Sequence, residues 1–556
     1  MINSLTLKFG RAPGIAAAPL TTTPITVFVG PNHSGKSKVL QEIFSYCREG
    51  VNDANNVILK SLELAGLPLE EARDRIKRVT LTAQPNESLA LGNIFVGKGQ
   101  HKLQVPLARL EDILQKPTQS MNAFCQWFLQ FNTLMLDGRS RIGLVGNQPA
   151  GDLQQMPATS FQVLFTDDTR RKEVRRIIYD AFGLYFTIDP TRLGELRLRL
   201  APRTPNSNLE ERGIHSEAVA YHAAALPIEQ ASDGVKAFTG IITEIIAGDP
   251  QIMLIDEPEA FLHPALAYTL GKEISLASAG SRKRLFVSTH SSSFVMGCIQ
   301  SGTPVNIVRL TYRRNVATAR LLPSRDILRL MRNPLLRSTG VLNGLFYEFV
   351  IVTESDADRA FYQEVNERLL RFKPELGIPN CLFLNAQNKQ TVRTIIRPLR
   401  ELGIPAAGVV DIDVLKEGGS VWTDFLSSGF VPEMEQQPLG SLRAAVLQKF
   451  TATGKDMKRD GGIDLLSASE REAASNLFDK LAQYGLFVVR RGELESWLPQ
   501  LKASGHGPSW LIEVFEKMGE DPETPKYLRP AADDVWEFIG FIRTWLAEPG
   551  RRGIPS

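Results

Sequence analysis

The sequence predicts an α/β chain with two separate sets of strand-and-helix elements, on three observations. An apolar run, Ile25-Thr-Val-Phe-Val29, feeds a glycine-rich turn and then a helical pattern from Lys36. A second apolar run, Ile252-Met-Leu-Ile255, ends in two adjacent acids. A third series opens at Phe349-Val-Ile-Val-Thr353 and carries carboxylates at the ends of successive apolar runs. Strands buried on both faces read as continuous apolar stretches, with polar chemistry gathered at their carboxyl ends.

The chain has 556 residues, more than one hydrophobic core supports, so at least two domains are expected. Hydrophobic residues make up 43% and charged residues 22%, which excludes a largely disordered chain. The net charge of +3 is close to neutral at this length, so any contact with nucleic acid has to come from local patches. Four cysteines, Cys47, Cys125, Cys298 and Cys381, lack C-x-x-C spacing, which excludes a zinc ribbon or a disulfide framework and suits a reducing compartment. Residues 1–10 read as an amphipathic strand and not as a signal segment. No apolar run approaches the roughly 20 residues of a membrane helix, so a cytoplasmic protein without membrane partners is expected.

Taken in order, residues 1–322 form the first domain, split by an insertion at about 105–200 that reads as mainly helical. Within it, 107–136 is rich in Leu, Phe and Met, and 169–182 resembles a capped helix carrying Arg170, Arg171, Lys172, Arg175 and Arg176. Residues 323–345 read as a connector, 346–530 as the second domain and 531–556 as a helical tail.

Gly30-Pro-Asn32-His-Ser-Gly35-Lys36-Ser37 fits the G-x-x-x-x-G-K-S pattern between a strand and a helix, the setting of a P-loop. Its glycines let backbone N–H groups turn inward on phosphate oxygens, and the helix N-terminus faces the same anion. Lys36 reaches the β and γ phosphates of ATP, and Ser37 ligates Mg²⁺. Asp256-Glu257 closes the Ile252–Ile255 strand as a Walker B pair: Asp256 holds the Mg²⁺ and Glu257 polarises the attacking water.

In the second domain Glu354 stands at the end of the Phe349–Thr353 strand, and Asp358 follows one helical turn later. Residues 406–410 form another apolar strand ending in Asp411-Ile-Asp413, where period-two alternation places both aspartates on one face. Hard oxygen ligands converging at strand ends make a divalent-cation constellation for Mg²⁺ or Mn²⁺. Lys389 and Lys502 both offer a charge for such a site. Arg393, Arg397 and Arg400 recur at helical spacing, as either a phosphate track or a solvated face.

Several segments resemble the OLD (overcoming lysogenization defect) family, in which an ABC-type ATPase with a helical insertion is fused to a Toprim nuclease domain of Rossmann-like α/β form. Glu257-Pro-Glu-Ala-Phe-Leu-His263-Pro264 matches the E-P-E-x-x-L-H-P run of OLD, RecF and SMC-like ATPases. Ser232-Asp233-Gly234 resembles the ABC signature, which caps the γ-phosphate of a partner subunit, and His290 resembles the switch histidine that contacts the γ-phosphate. Gln84 and Gln100 are both open as the Q-loop residue. The run Val352-Thr-Glu354-Ser-Asp-Ala-Asp358-Arg-Ala-Phe-Tyr362 resembles the Toprim V-E-G-x-x-D-x-x-F-Y, with Ser355 in place of the glycine. Gly492-Glu-Leu-Glu495 resembles the G-x-L-E segment whose last acid ligates a second metal, which assigns Glu495, with Glu493 as the competing residue.

The resemblance implies a homodimer or larger assembly, ATP hydrolysis, and metal-dependent cleavage or nicking of DNA by Glu354, Asp411 and Asp413. It also implies a role in defence against phages, with room for a second defence protein. Two rivals remain: a RecF- or SMC-like repair ATPase whose Toprim module is inactive, and an ATP-gated sensor.

Overall fold

The computed structural model describes residues 2–83, 87–98, 101–313 and 315–555. Gln84 and Gln100 lie outside them. The chain divides into two compact units, Met1–Leu328 and Arg329–Ser556.

The first unit is built on a six-stranded sheet. Its strands in chain order are β1 (Ile25–Val29), β2 (Thr133–Leu136), β3 (Ile252–Asp256), β4 (Arg284–Ser288), β5 (Val305–Arg313) and β6 (Val316–Leu322), arranged β6-β5-β1-β4-β3-β2. The first five run parallel and β6 closes antiparallel on β5. Every residue of β1 is buried, as expected of a strand covered on both faces. Parallel register sets Val27 beside Val287 on one side and Ile307 on the other, so that β1, β3 and β4 end at the same edge. Helix α1 (Lys36–Glu49) buries Val39, Leu40 and Ile43 in a core shared with Phe28, Leu254 and Phe286. A three-stranded antiparallel sheet of Ile2–Leu7, Leu20–Thr21 and Leu59–Leu64 contributes Ile2, Leu5 and Leu62 to that core.

Helices make up most of the insertion, and strands accompany them. Helices Leu107–Gln115 and Met121–Trp127 are present, but Thr133–Leu136 is the edge strand β2, paired in parallel with β3. Four apolar residues fit a helix face or a strand equally well, and pairing with β3 decides the matter. A further antiparallel sheet uses Tyr185–Asp189, Glu195–Ala201, Leu226–Pro227 and Gln148–Pro149. The basic helix Asp168–Phe182 starts one residue earlier than read, because Asp167 caps it by accepting from the N–H groups of Thr169 and Arg170. Arg171 is buried against Glu211 at 3.2 Å and Arg175 also pairs with Glu211, while Arg176 is exposed and meets Glu273 at 2.9 Å, so all three are engaged by acids of their own unit.

In the second unit β7 (Phe349–Thr353), β8 (Cys381–Asn385), β9 (Ala406–Asp411) and β10 (Leu486–Val489) form an all-parallel sheet in the order β8-β7-β9-β10. Segment 323–345, read as a connector, is partly helical. It holds helix Ser324–Arg332 and the turn Val341–Phe346, where Leu342 and Leu345 are buried and Gly344 packs closely, since a Cβ on it would meet the Leu399 and Val350 side chains at 3.0 and 3.3 Å. The helix Asp534–Ala547, in the segment read as a helical tail, packs into the unit: Val535, Trp536, Ile539, Ile542 and Leu546 sit in the same core as Phe361, Trp497 and Trp510. No helix among the described residues is long and apolar enough to cross a membrane.

Candidate nucleotide and metal sites

In the first unit the loop after β1 doubles back before entering α1. Gly30 has φ 144°, and a Cβ there would stand 2.1 Å from the Leu310 carbonyl oxygen, so only glycine fits. Gly35, at φ 94°, is the residue from which α1 starts, with Asn32 exposed on the loop between them. Lys36 folds its ammonium back onto the loop and donates to the carbonyls of Gly30 and Pro31, both at 2.8 Å. Burial pulls Lys36 down to about 8, against the opposing pull of Glu257 and Asp256. A buried cation that borrows two loop carbonyls is poised to exchange them for phosphate oxygens.

The Ser37 hydroxyl donates to Asp256 Oδ1 at 2.9 Å, and Ser288 at the end of β4 donates to the same oxygen. The serine and the acid expected to share Mg²⁺ are therefore in contact, and their oxygens suit a hard cation. Glu257 takes a left-handed backbone, φ 49°, and its N–H donates to the Ser288 carbonyl at 2.9 Å. Such a backbone in a non-glycine residue costs energy and persists where its neighbours impose it. One of those neighbours is Arg141, which the sequence reading missed. It lies on the short helix α2 (Gly138–Gly143) after β2, is almost wholly buried, and donates to the Asp256 carbonyl at 2.9 Å and to the Glu257 carbonyl.

His290 follows β4, and its Nε2 lies 3.3 Å from Glu257 Oε1. Burial, then the charge of Lys36, pushes the imidazole below its ordinary value, which favours the neutral ring. Ser232 precedes α3 (Asp233–Ala247) without capping it by its side chain, and it is exposed together with Asp233. Gly234 is buried: a Cβ there would stand 2.6 Å from the Phe261 carbonyl oxygen. The start of α3 thus packs on the turn that follows Asp256-Glu257.

In the second unit Glu354, Asp411 and Asp413 each bring a carboxylate oxygen to within 4.8 Å of the others. The route differs from the expected strand alternation. β9 ends at Asp411, and Asp413 belongs to a 3₁₀ turn, Ile412–Lys416, that swings its carboxylate back toward Glu354. Asp358 is not one of this trio, although its charge acts on Asp411. Its Oδ2 accepts from Ser355 N at 3.0 Å and from Ser355 Oγ at 2.5 Å, while Ser355 Oγ accepts from Asp358 N, a reciprocal cap on α4 (Asp356–Phe372). The serine that departs from the glycine pattern is what engages Asp358.

Burial, then the neighbouring Asp411, pushes Glu354 up to about 8, and burial, then Asp358, pushes Asp411 up to about 7. Asp413 Oδ1 is buried without a hydrogen-bond donor. An all-oxygen trio with mutual repulsion and an orphaned lone pair fits Mg²⁺ or Mn²⁺. Glu495 lies in a second group, with Glu493 and His506, and accepts from Gly507 N at 2.6 Å and from His506 Nδ1 at 2.7 Å.

Two lysines serve the trio. Lys389, one of the two residues expected, lies 3.0 Å from Asp413, whereas Lys502 is exposed. Lys458 was missed; it lies 2.9 Å from Asp411 and 3.6 Å from Glu493, joining the two acid groups. No sequence spacing ties a lysine at 458 to β9, since the loop that carries it belongs to neither strand. Arg393, Arg397 and Arg400 do not form one exposed row. Arg400 is fully buried, Arg393 pairs with Asp424 at 3.1 Å, and Arg397 with Glu401 at 3.2 Å.

A family model described as "AAA domain, putative AbiEii toxin, Type IV TA system" matches residues 168–296, which include Ser232, Asp256, Glu257 and His290. None of the curated proteins compared matches the chain. Among solved structures the chain is similar to SMC head domains. One is the SMC head bound to the C-terminal winged-helix domain of ScpA, at 13% identity and TM-score 0.33, covering 59% of this chain and 99% of that one. Another is the SMC head domain of Thermotoga maritima, at 13% identity and TM-score 0.30, covering 58% and 99%.

Proposed function

We propose that the chain is an ATPase of the ABC/SMC-like P-loop type joined to a divalent-cation-dependent nuclease that acts on DNA. In the first unit Lys36 exchanges its loop carbonyls for the β and γ phosphates of ATP, and Glu257 accepts the proton of the attacking water. Mg²⁺, when bound, is held by Ser37 and Asp256 and offsets phosphate charge. The match of an AAA-domain model across residues 168–296 supports this part. The exposed Ser232-Asp233 start of α3 supports a homodimer that completes the site from the partner.

The observation that carries the nuclease reading is the convergence of Glu354, Asp411 and Asp413. These residues would hold Mg²⁺ or Mn²⁺, which supplies charge stabilisation at the scissile phosphate. Glu495, with Glu493, would hold a second ion. Asp358 orients Ser355 and the start of α4, and Lys458 and Lys389 neutralise negative charge on the phosphodiester side. The resemblance to OLD proteins adds phage defence as the setting.

The test is cleavage of DNA by the full chain with Mg²⁺ or Mn²⁺, with and without ATP, beside the Asp411→Ala/Asp413→Ala double variant. Equal cleavage by both proteins removes the reading. A second reading, a repair-type ATPase with an inactive second unit, is favoured by the ion pairs Lys389–Asp413 and Lys458–Asp411, in which lysines occupy the acids. It predicts ATP hydrolysis without cleavage of any DNA.

A further inference from the structure

Glu259, the second acid of the Glu257-Pro-Glu259 run, has no part in the chemistry described so far. It is half-buried, on a turn that bulges between two left-handed residues, Glu257 at φ 49° and Phe261 at φ 70°. That double reversal turns its side chain inward, under the end of β4. There Oε1 accepts from the Thr289 hydroxyl at 2.8 Å and from the His290 backbone N–H at 2.7 Å. Thr289 Oγ1 in turn accepts from Ser291 N at 3.0 Å. Glu259 Oε2 is buried without a hydrogen-bond donor.

The two acids of one turn therefore hold opposite ends of one histidine: Glu257 lies 3.3 Å from the ring and Glu259 binds the backbone. We propose that Glu259 is a positioning residue for ATP hydrolysis, clamping the Thr289–His290 backbone so that the imidazole stays in reach of Glu257 and the γ-phosphate. This rests on the ATPase reading above. The clamp needs an acceptor and not a charge. Burial pushes the Glu259 carboxyl above its ordinary value, and an amide can take both donors on its oxygen. A residue acting through His290 affects turnover, because the histidine faces the reacting phosphate, while Lys36 and the loop retain ATP affinity.

The test compares Glu259→Ala, Glu259→Leu and Glu259→Gln in the full chain, measuring kcat and KM for ATP hydrolysis, ATP affinity by calorimetry, and amide hydrogen exchange at His290. The alanine and leucine variants are expected to lose about tenfold to a hundredfold in kcat, with KM and ATP affinity little changed and His290 exchange accelerated. The glutamine variant is expected to restore both kcat and protection. Wild-type kcat in the alanine variant overturns the inference. So does a glutamine variant as inactive as alanine, which would mean that the charge of Glu259 is what matters, and so does a loss of ATP affinity in step with kcat. If the wild type hydrolyses no ATP, the ATPase reading fails by itself. The clamp is then judged by exchange, and unchanged His290 protection in the alanine variant overturns it.

Discussion

The backbone N–H of Asp411 donates to Glu354 Oε1 at 2.8 Å, fastening the ends of β9 and β7 to each other through one of the carboxylates that would hold a metal. One oxygen of Glu354 is thereby fixed, and the acid presents a preset geometry to an ion. The same contact brings two acids close together in a buried place, which is costly while no cation is bound.

Divalent cations should therefore stabilise the second unit. Mg²⁺ or Mn²⁺ at about 100 times its dissociation constant adds about 2.7 kcal/mol by mass action. Five of the six tryptophans (422, 497, 510, 536 and 545) lie in this unit, so intrinsic fluorescence reports its melting. Asp411→Ala should abolish most of the metal-induced rise in Tm while ATP hydrolysis stays near normal. A full metal response in that variant would remove Asp411 from the ligand set.

The pH dependence has a definite sign. Glu354 and Asp411 are raised to about 8 and about 7, so between about pH 4 and pH 8 the folded chain binds more protons than the unfolded one. Their contribution to stability is thus fully present below about pH 4 and is lost progressively as the pH rises from there through about 7 and 8. In metal-free buffer the fluorescence-detected Tm should fall over that window, and the fall should be smaller in Asp411→Ala. Metal affinity should move oppositely, rising with pH as the carboxyls ionise. A Tm that climbs from pH 6 to pH 8 without metal would contradict this.

At the nucleotide site, Lys36→Ala should abolish tight ATP binding, because nothing else replaces the buried ammonium that leaves the Gly30 and Pro31 carbonyls for phosphate. Glu257→Gln should bind ATP but hydrolyse it about 10²- to 10⁴-fold more slowly, losing only proton acceptance. Calorimetry and steady-state hydrolysis separate the two effects. Hydrolysis by Glu257→Gln at the wild-type rate would exclude Glu257 as the base.

Arg400 should prove structural. Its guanidinium is fully buried and donates to the carbonyls of Ala406, Gly429, Tyr484, Gly485 and Gly553 at 2.7–3.1 Å. Arg400→Ala strands several of these and should cost about 3 kcal/mol or more, since each buried unpaired acceptor costs about 1–3 kcal/mol. Arg400→Lys should rescue little, as one ammonium cannot span five acceptors. Denaturant unfolding measures both variants, and a neutral Arg400→Ala would return the residue to the surface reading.

What was legible in the sequence is what local chemistry dictates. A strand, a turn that only glycine can make and a helix beginning at a lysine identify the phosphate loop, because Gly30 must pass the Leu310 carbonyl and Gly35 must start α1. Acids at the ends of apolar runs identify Asp256, Glu257, Glu354 and Asp411, because parallel strands deliver their ends to one edge of a sheet. The tertiary structure alone decided that Thr133–Leu136 is an edge strand, that residues 534–547 fill a core, and that Asp413 reaches Glu354 by way of a 3₁₀ turn. It alone brought Arg141 to the Asp256 and Glu257 carbonyls and Lys458 to Asp411. Arg141 precedes Asp256 by 115 residues and Lys458 follows Asp411 by 47, and no periodicity carries over such distances. Pairing of strands and burial of charge bring these residues together, and both depend on the whole unit having folded.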